Sequence, residues 1–188
     1  VSMICAGPVP LYSDTGGAIV SAIRSVHNGE DAEEIYLADV LWYSPEDEEA
    51  LGDAYSVDAA ENARALMEFR EEMTSGECVL MLLSPQLYRE VGEGLLPLSE
   101  VFGADAVQIS ADGYSVRLGD TDFYSYFTAA KVLPEDTLIC MRDVSKMKIY
   151  GEGKGAEADE KCRSVFRDIV NFVDPTPPDA TSADDTAD

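Results

Sequence analysis

Residues 78–83, CVLMLL, constrain the fold more than any other stretch. Side chains along a strand point alternately to its two faces, so an unbroken apolar run needs cover on both. A strand of this kind belongs at the centre of a layered α/β structure. Residues 1–7 (VSMICAG, closed by Gly7-Pro8) and 137–142 (TLICMR) read as buried strands in the same way. Residues 34–43 (EIYLADVLWY) are rich in Ile, Tyr, Leu, Val and Trp and predict a further strand.

Between these runs the apolar period becomes helical. Asp14 or Thr15 caps a predicted helix that runs to about His27, with the stripe Ile19, Ala22, Ile23 and Val26, and Asn28-Gly29 stops it. Asp58 caps a helix over residues 59–74 that places Ala59, Asn62, Leu66, Phe69 and Met73 on one face. Pro85 begins a short helix through Val91, broken by Gly92 and Gly94. A last helix over 156–172 carries Ala158, Cys162, Val165, Phe166, Ile169 and Val173. Residues 44–57 read as an acidic connection. Residues 106–118 (AVQISADGYSVRL) flank Ala111-Asp112-Gly113 with two alternating runs and predict a hairpin.

From Asp174 onward the chain has no large apolar side chain and reads as a disordered acidic tail rich in Pro, Thr and Asp. The expected organisation is therefore one α/β domain over residues 1–173, possible also as two small lobes, followed by a tail over 174–188. The fold class is α/β, a mixed β-sheet with helices on both faces.

Charge narrows the partners. The chain carries 13 Lys+Arg against 37 Asp+Glu, a formal net charge of −24. A nucleic-acid binder needs a cationic footprint, so no nucleic acid is expected as partner. Direct docking on an anionic membrane is disfavoured for the same reason. The hydrophobic share of 46% nevertheless allows a core.

Cys5, Cys78, Cys140 and Cys162 are scattered without a Cys-x-x-Cys pair, and His27 is the only histidine. Neither a zinc site nor another cofactor is expected. The thiols read as buried and unbridged, with Cys78 and Cys140 the pair to expect if a bridge forms.

Residues 61–102 read ENARALMEFREEMTSGECVLMLLSPQLYREVGEGLLPLSEVF. A helix ends in Ser-Gly-Glu, a buried strand follows, then a Pro-initiated helix with a tyrosine, then LLPLSEVF. This order resembles the extracellular solute-binding proteins of bacterial uptake systems, the type II periplasmic-binding fold. It is more similar still to membrane-anchored extracellular proteins of Gram-positive bacteria that are shortened relatives of that fold. In those a later hairpin precedes a strand ending in Arg, which TLICMR resembles. The resemblance implies a reduced form of the fold, whose full-length members close two α/β lobes around a cleft. An acidic calcium loop of the relatives has no counterpart in residues 27–31, which lack its ligand spacing.

In open α/β sheets ligands sit beyond the carboxyl ends of strands. Ser84, Gln86 and Tyr88, just past the 78–83 strand, are therefore the candidate ligand-binding residues. The commoner use of such residues is capping by Ser84 and packing by Tyr88. Asp120 and Asp122 are the candidate metal ligands, two carboxylates able to chelate a hard cation or simply to form a polar turn. Residues 151–155 (GEGKG) lack the spacing of a phosphate loop and read as a flexible loop. His27 reads as a helix-end or surface residue. The aromatic run over 123–127 offers a stacking platform or, at helical spacing, a core face.

No catalytic constellation is visible. The expected function is a non-enzymatic extracellular domain that binds a small ligand or a cell-envelope partner, held at the cell surface by a segment preceding Val1. An interaction or scaffold module without ligand capture is the alternative, and a cation-assisted hydrolase the third reading.

Overall fold

The computed structural model describes residues 1–27, 29, 32–52, 55–110, 112–150 and 155–176. The chain is mixed α/β. Its strands are β1 (Ser2–Gly7), β2 (Tyr36–Leu41), β3 (Leu80–Leu83), β4 (Ser115–Arg117) and β5 (Leu138–Met141). They form one five-stranded sheet in the order β2-β1-β3-β5-β4. β1 is parallel to both β2 and β3, and β5 runs antiparallel to β3 and β4.

The helices are α1 (Ser13–Val26), α2 (Pro45–Leu51), α3 (Ala59–Ser75), α4 (Pro85–Val91), α5 (Ser99–Phe102), α6 (Ala106–Ile109), α7 (Asp122–Tyr126) and α8 (Ala156–Val170). They cover both faces of the sheet, as the alternation within the central strands requires. Met3, Cys5, Leu80 and Leu82 face the larger core with Ile19 and Ile23 of α1 and Val165 and Phe166 of α8. Ile4, Ala6, Met81 and Leu83 face a second core with Phe69 of α3 and Leu87 of α4. Every residue of β3 is buried, which accounts for the unbroken apolar run. Each large side chain so buried stabilises the fold by about 1.5–3 kcal/mol.

Several sequence expectations need correction. The predicted hairpin over 106–118 is not formed. Ala106 and Ile109, three residues apart, share a helical face instead, and β4 pairs with β5. The Asp-Gly turn is present, with Gly113 at φ +81°, but the Asp112 carboxylate closes it by accepting from the backbone N–H groups of Tyr114 and Ser115. The acidic connection contains α2, started by a capping box. Ser44 Oγ accepts from the Asp47 N–H at 3.1 Å, and the Asp47 carboxylate accepts from the Ser44 N–H at 2.8 Å. α1 begins after Tyr12 without a side-chain cap, because Asp14 accepts from the adjacent Thr15 N–H. α8 stops at Val170, and Val173 is exposed.

All four cysteines are buried and unbridged. Phe123 is buried and stacks on Phe127, which meets Phe172 beyond α8 with ring centres 5.4 Å apart. The aromatic run therefore packs α7 against the end of α8, with Tyr126 at its exposed margin. Residues 151–154 of the predicted loop and 177–188 of the predicted tail lie outside the described residues. No helix among the described residues is long and apolar enough to cross a membrane.

Candidate functional site

The carboxyl end of β3 is where a ligand crevice is expected, and it is tightly closed there. Ser84 is buried, its N–H donates to the Ala6 C=O at 2.9 Å, and its hydroxyl caps α4 by accepting from the Leu87 N–H at 3.4 Å. A Cβ added at Gly7 would stand 3.3 Å from that of Ser84, so the ends of β1 and β3 touch. Ser84 is thus occupied with capping, and Gln86 is half-buried on the first turn of α4.

Tyr88, one turn further, stands elsewhere. It lines a groove of about 890 Å³ together with Leu95, Leu96, Pro97 and Tyr114. α4 ends at Gly92, whose φ of +62° turns the chain back under the helix. The returning segment then joins the sheet, with Leu95 bridged to Arg142 and the Leu96 N–H bonded to the Met141 C=O at 2.8 Å. That pairing fixes the apolar floor of the groove. Tyr88 and Tyr114 supply rings on its wall, and Tyr114 is 42% exposed.

The far wall carries charge. Asp143 caps a short 3-10 turn by accepting from the Ser145 N–H, and the turn presents Lys146. Lys146 Nζ donates to the Glu93 C=O at 3.0 Å and pairs with Asp143 at 3.3 Å. Arg163 of α8 pairs with Asp159 at 2.7 Å and donates to the Glu100 C=O. These residues are shared with an adjoining hollow of about 650 Å³ that adds Lys148 and Met147. Four basic residues (Arg89, Lys146, Lys148, Arg163) and four acidic ones (Glu93, Glu100, Asp143, Asp159) line the two together. On a chain of net charge −24 this is a formally neutral region, where an anionic group meets cations rather than a uniform negative field.

Burial raises the Tyr88 pKa, and its hydrogen bond to Asp112 raises it further, so the phenol stays protonated and donates. Burial alone would raise Asp143, yet bonds from Ser145 and Lys146 hold it below the usual carboxylate value.

The candidate metal ligands do not converge. Asp120 accepts from Arg117 at 3.3 Å, whereas Asp122 accepts from the Asp174 N–H at 3.1 Å. No group of three or more His, Cys, Asp or Glu residues able to hold a metal occurs among the described residues. His27 is buried rather than on the surface, with Nδ1 2.7 Å from the Asp168 carboxylate, and it ties α1 to α8.

Sequence reasoning reached Tyr88 and missed Tyr114, Lys146 and Arg163. These come from three separate segments and share no local motif. Compared with protein-family models, with curated proteins and with solved structures, the chain matches none.

Proposed function

We propose that this chain is a non-enzymatic extracellular binding domain, resembling a reduced type II solute-binding protein, that holds a small ligand in the groove beside Tyr88. The observation that carries this reading is the groove itself, with an apolar floor, two tyrosine rings and a charge-balanced rim. Pockets that hold small ligands combine apolar and aromatic walls with a few placed polar groups. A mixed sheet with helices on both faces also agrees with the reduced form of that fold that the resemblance implies. Attachment at a bacterial cell surface belongs to the same proposal, and the gene upstream of Val1 is where an anchor would be read.

A thermal-shift screen against a broad metabolite set tests the reading, because a ligand selective for the folded state raises the melting temperature by mass action. A stabilising compound whose effect is lost in Tyr114→Ala supports it. A screen without any shift removes its main support.

The second reading, an interaction module without ligand capture, is favoured by one separate observation. The sheet edge at β2 is open and carries Tyr36, 67% exposed. The hydrolase reading stands last, since Asp120 and Asp122 are engaged with different partners.

A further inference from the structure

β2 is one edge of the sheet. The Tyr36 N–H donates to the Val1 C=O at 2.9 Å and the Trp42 N–H to the Gly7 C=O at 3.0 Å. With a period of two, the backbone groups of Ala38 and Val40 are also used on β1, and those of Leu37, Asp39 and Leu41 turn outward. Among the described residues no hydrogen bond reaches these outward groups from another element. An open edge of this kind is a template for another strand.

A groove flanks the edge on each face, and Asp39 lines both. The groove towards α3 is about 490 Å³ and carries Asp58, Glu61 and Glu68 against Arg64, which is itself paired with Glu61. The groove towards α1 is about 460 Å³ and is lined by Tyr12, Gly17, Val20 and Leu37. A Cβ at Gly16 or Gly17 would meet nothing within 4 Å, so α1 leaves space there. Side chains of an added strand would enter the two grooves alternately. Those on the α3 side meet excess carboxylate, and those on the α1 side meet mostly small, apolar and aromatic groups, with Arg24 and Asp39 as the two charges of opposite sign there.

A second copy of this chain fits poorly. Antiparallel pairing centred on Asp39 sets two carboxylates opposite each other, and each copy brings a net charge of −24. We propose that β2 accepts an extended segment of a partner protein as an added edge strand, with alternate basic side chains towards α3 and small or apolar ones towards α1. This deepens the partner-binding reading and rests on it; the groove beside Tyr88 plays no part. Main-chain bonds supply the affinity and the two grooves the side-chain preference.

The test uses a short acetylated peptide alternating Lys and Val, its Glu/Val counterpart, and the Lys/Val peptide N-methylated at every second residue. The Lys/Val peptide is expected to bind and to slow amide exchange at Leu37, Asp39 and Leu41. Asp39→Pro removes an outward N–H and none of the bonds to β1, so the fold is retained. Glu61→Lys combined with Glu68→Lys changes only exposed positions on α3. Either variant, or N-methylation, is expected to weaken binding by at least about tenfold, and Tyr114→Ala to leave it unchanged. Equal binding by the N-methylated or Glu/Val peptide, protection at other amides, or loss in Tyr114→Ala overturns the proposal. So does self-association that protects the same three amides. Absence of Lys/Val binding overturns strand addition while leaving the Tyr88 groove to stand or fall on its own screen.

Discussion

Tyr88 donates its phenolic hydrogen bond to Asp112 Oδ2 at 2.6 Å, joining α4 to the turn that enters β4. The same carboxylate accepts from the backbone N–H groups of Tyr114 and Ser115 at 2.9 and 3.0 Å and from the Ser110 hydroxyl at 3.0 Å. One side chain thus fixes both tyrosines of the groove wall, Tyr88 by its hydroxyl and Tyr114 by its backbone. Tyr88→Phe keeps the ring and removes that tie. It is expected to lower stability by about 1 kcal/mol, read from chemical denaturation, while leaving the ring's packing against the second core intact.

Asp112 makes this tie pH-dependent. Burial alone would raise its pKa, but the bonds from Tyr88, Tyr114, Ser115 and Ser110 prevail and hold it below 3.8. A carboxylate lowered in the folded state contributes fully above its unfolded value and loses that contribution as pH falls through the folded value. Wild type is therefore expected to be more stable than Asp112→Asn at neutral pH, with the gap shrinking as pH falls below 3.8 and through the lowered folded value. Urea unfolding of both proteins across that range is the check.

Arg142 directly follows β5 and is buried. Its guanidinium donates to the carbonyls of Glu72, Met73, Gly76 and Cys78 at 2.8 to 3.4 Å, closing the carboxyl end of α3 and the entrance of β3. Burial lowers its pKa and the nearby Glu72 opposes that fall. Removing the side chain leaves helix-end carbonyls without a donor and Glu72 without its cation. Arg142→Ala is expected to cost about 3 kcal/mol, and Arg142→Lys to recover little, since one ammonium cannot span the same fork. Equilibrium denaturation of the two variants decides this.

The thiols should be inert in the native state. Burial pushes Cys5 and Cys78 up to about 12, with Asp39 and Glu72 respectively adding to the effect, and raises Cys140 well above the usual thiol value. Thiolate is the reactive form, so a disulfide reagent at mildly alkaline pH is expected to modify none of the four without denaturant and all four with it. Fast native-state labelling would contradict the packing.

Ser44 starts α2 and is fully buried. Ser44→Ala breaks the capping box and is expected to cost about 1 kcal/mol, with local loss of protection in residues 45–51. Amide exchange locates the effect.

What was legible in the sequence follows from how local each signal is. The apolar run over 78–83 and Pro85 fixed β3 and α4 to within two residues, because burial on both faces and a proline start are local. Asp58 likewise marked α3 by its own carboxylate. The hairpin over 106–118 misled because Asp-Gly chemistry specifies a turn and not which strand the next residues join. β4 found β5, more than twenty residues on, through pairings such as Val116 with Ile139. The Ser44, Pro45 and Asp47 pattern did announce α2, but the surrounding acids read as solvated chain. At the site, Ser84 and Tyr88 were recognised from their place after a strand, and only Tyr88 faces the groove. Tyr114, Lys146 and Arg163 meet there through the turn that enters β4, the turn that follows β5, and α8, a juxtaposition that no sequence window contains.

The central claim, a ligand groove between Tyr88 and Tyr114, is tested most directly by nuclear magnetic resonance titration of the isotopically labelled chain with any compound that stabilises it. Saturable amide shifts are predicted at Gly92, Leu95, Leu96, Tyr114 and Lys146, and in Tyr114→Ala they should be lost. Shifts confined to the ends of β1 and β3 near Gly7 and Ser84, or none at the groove residues, would contradict it.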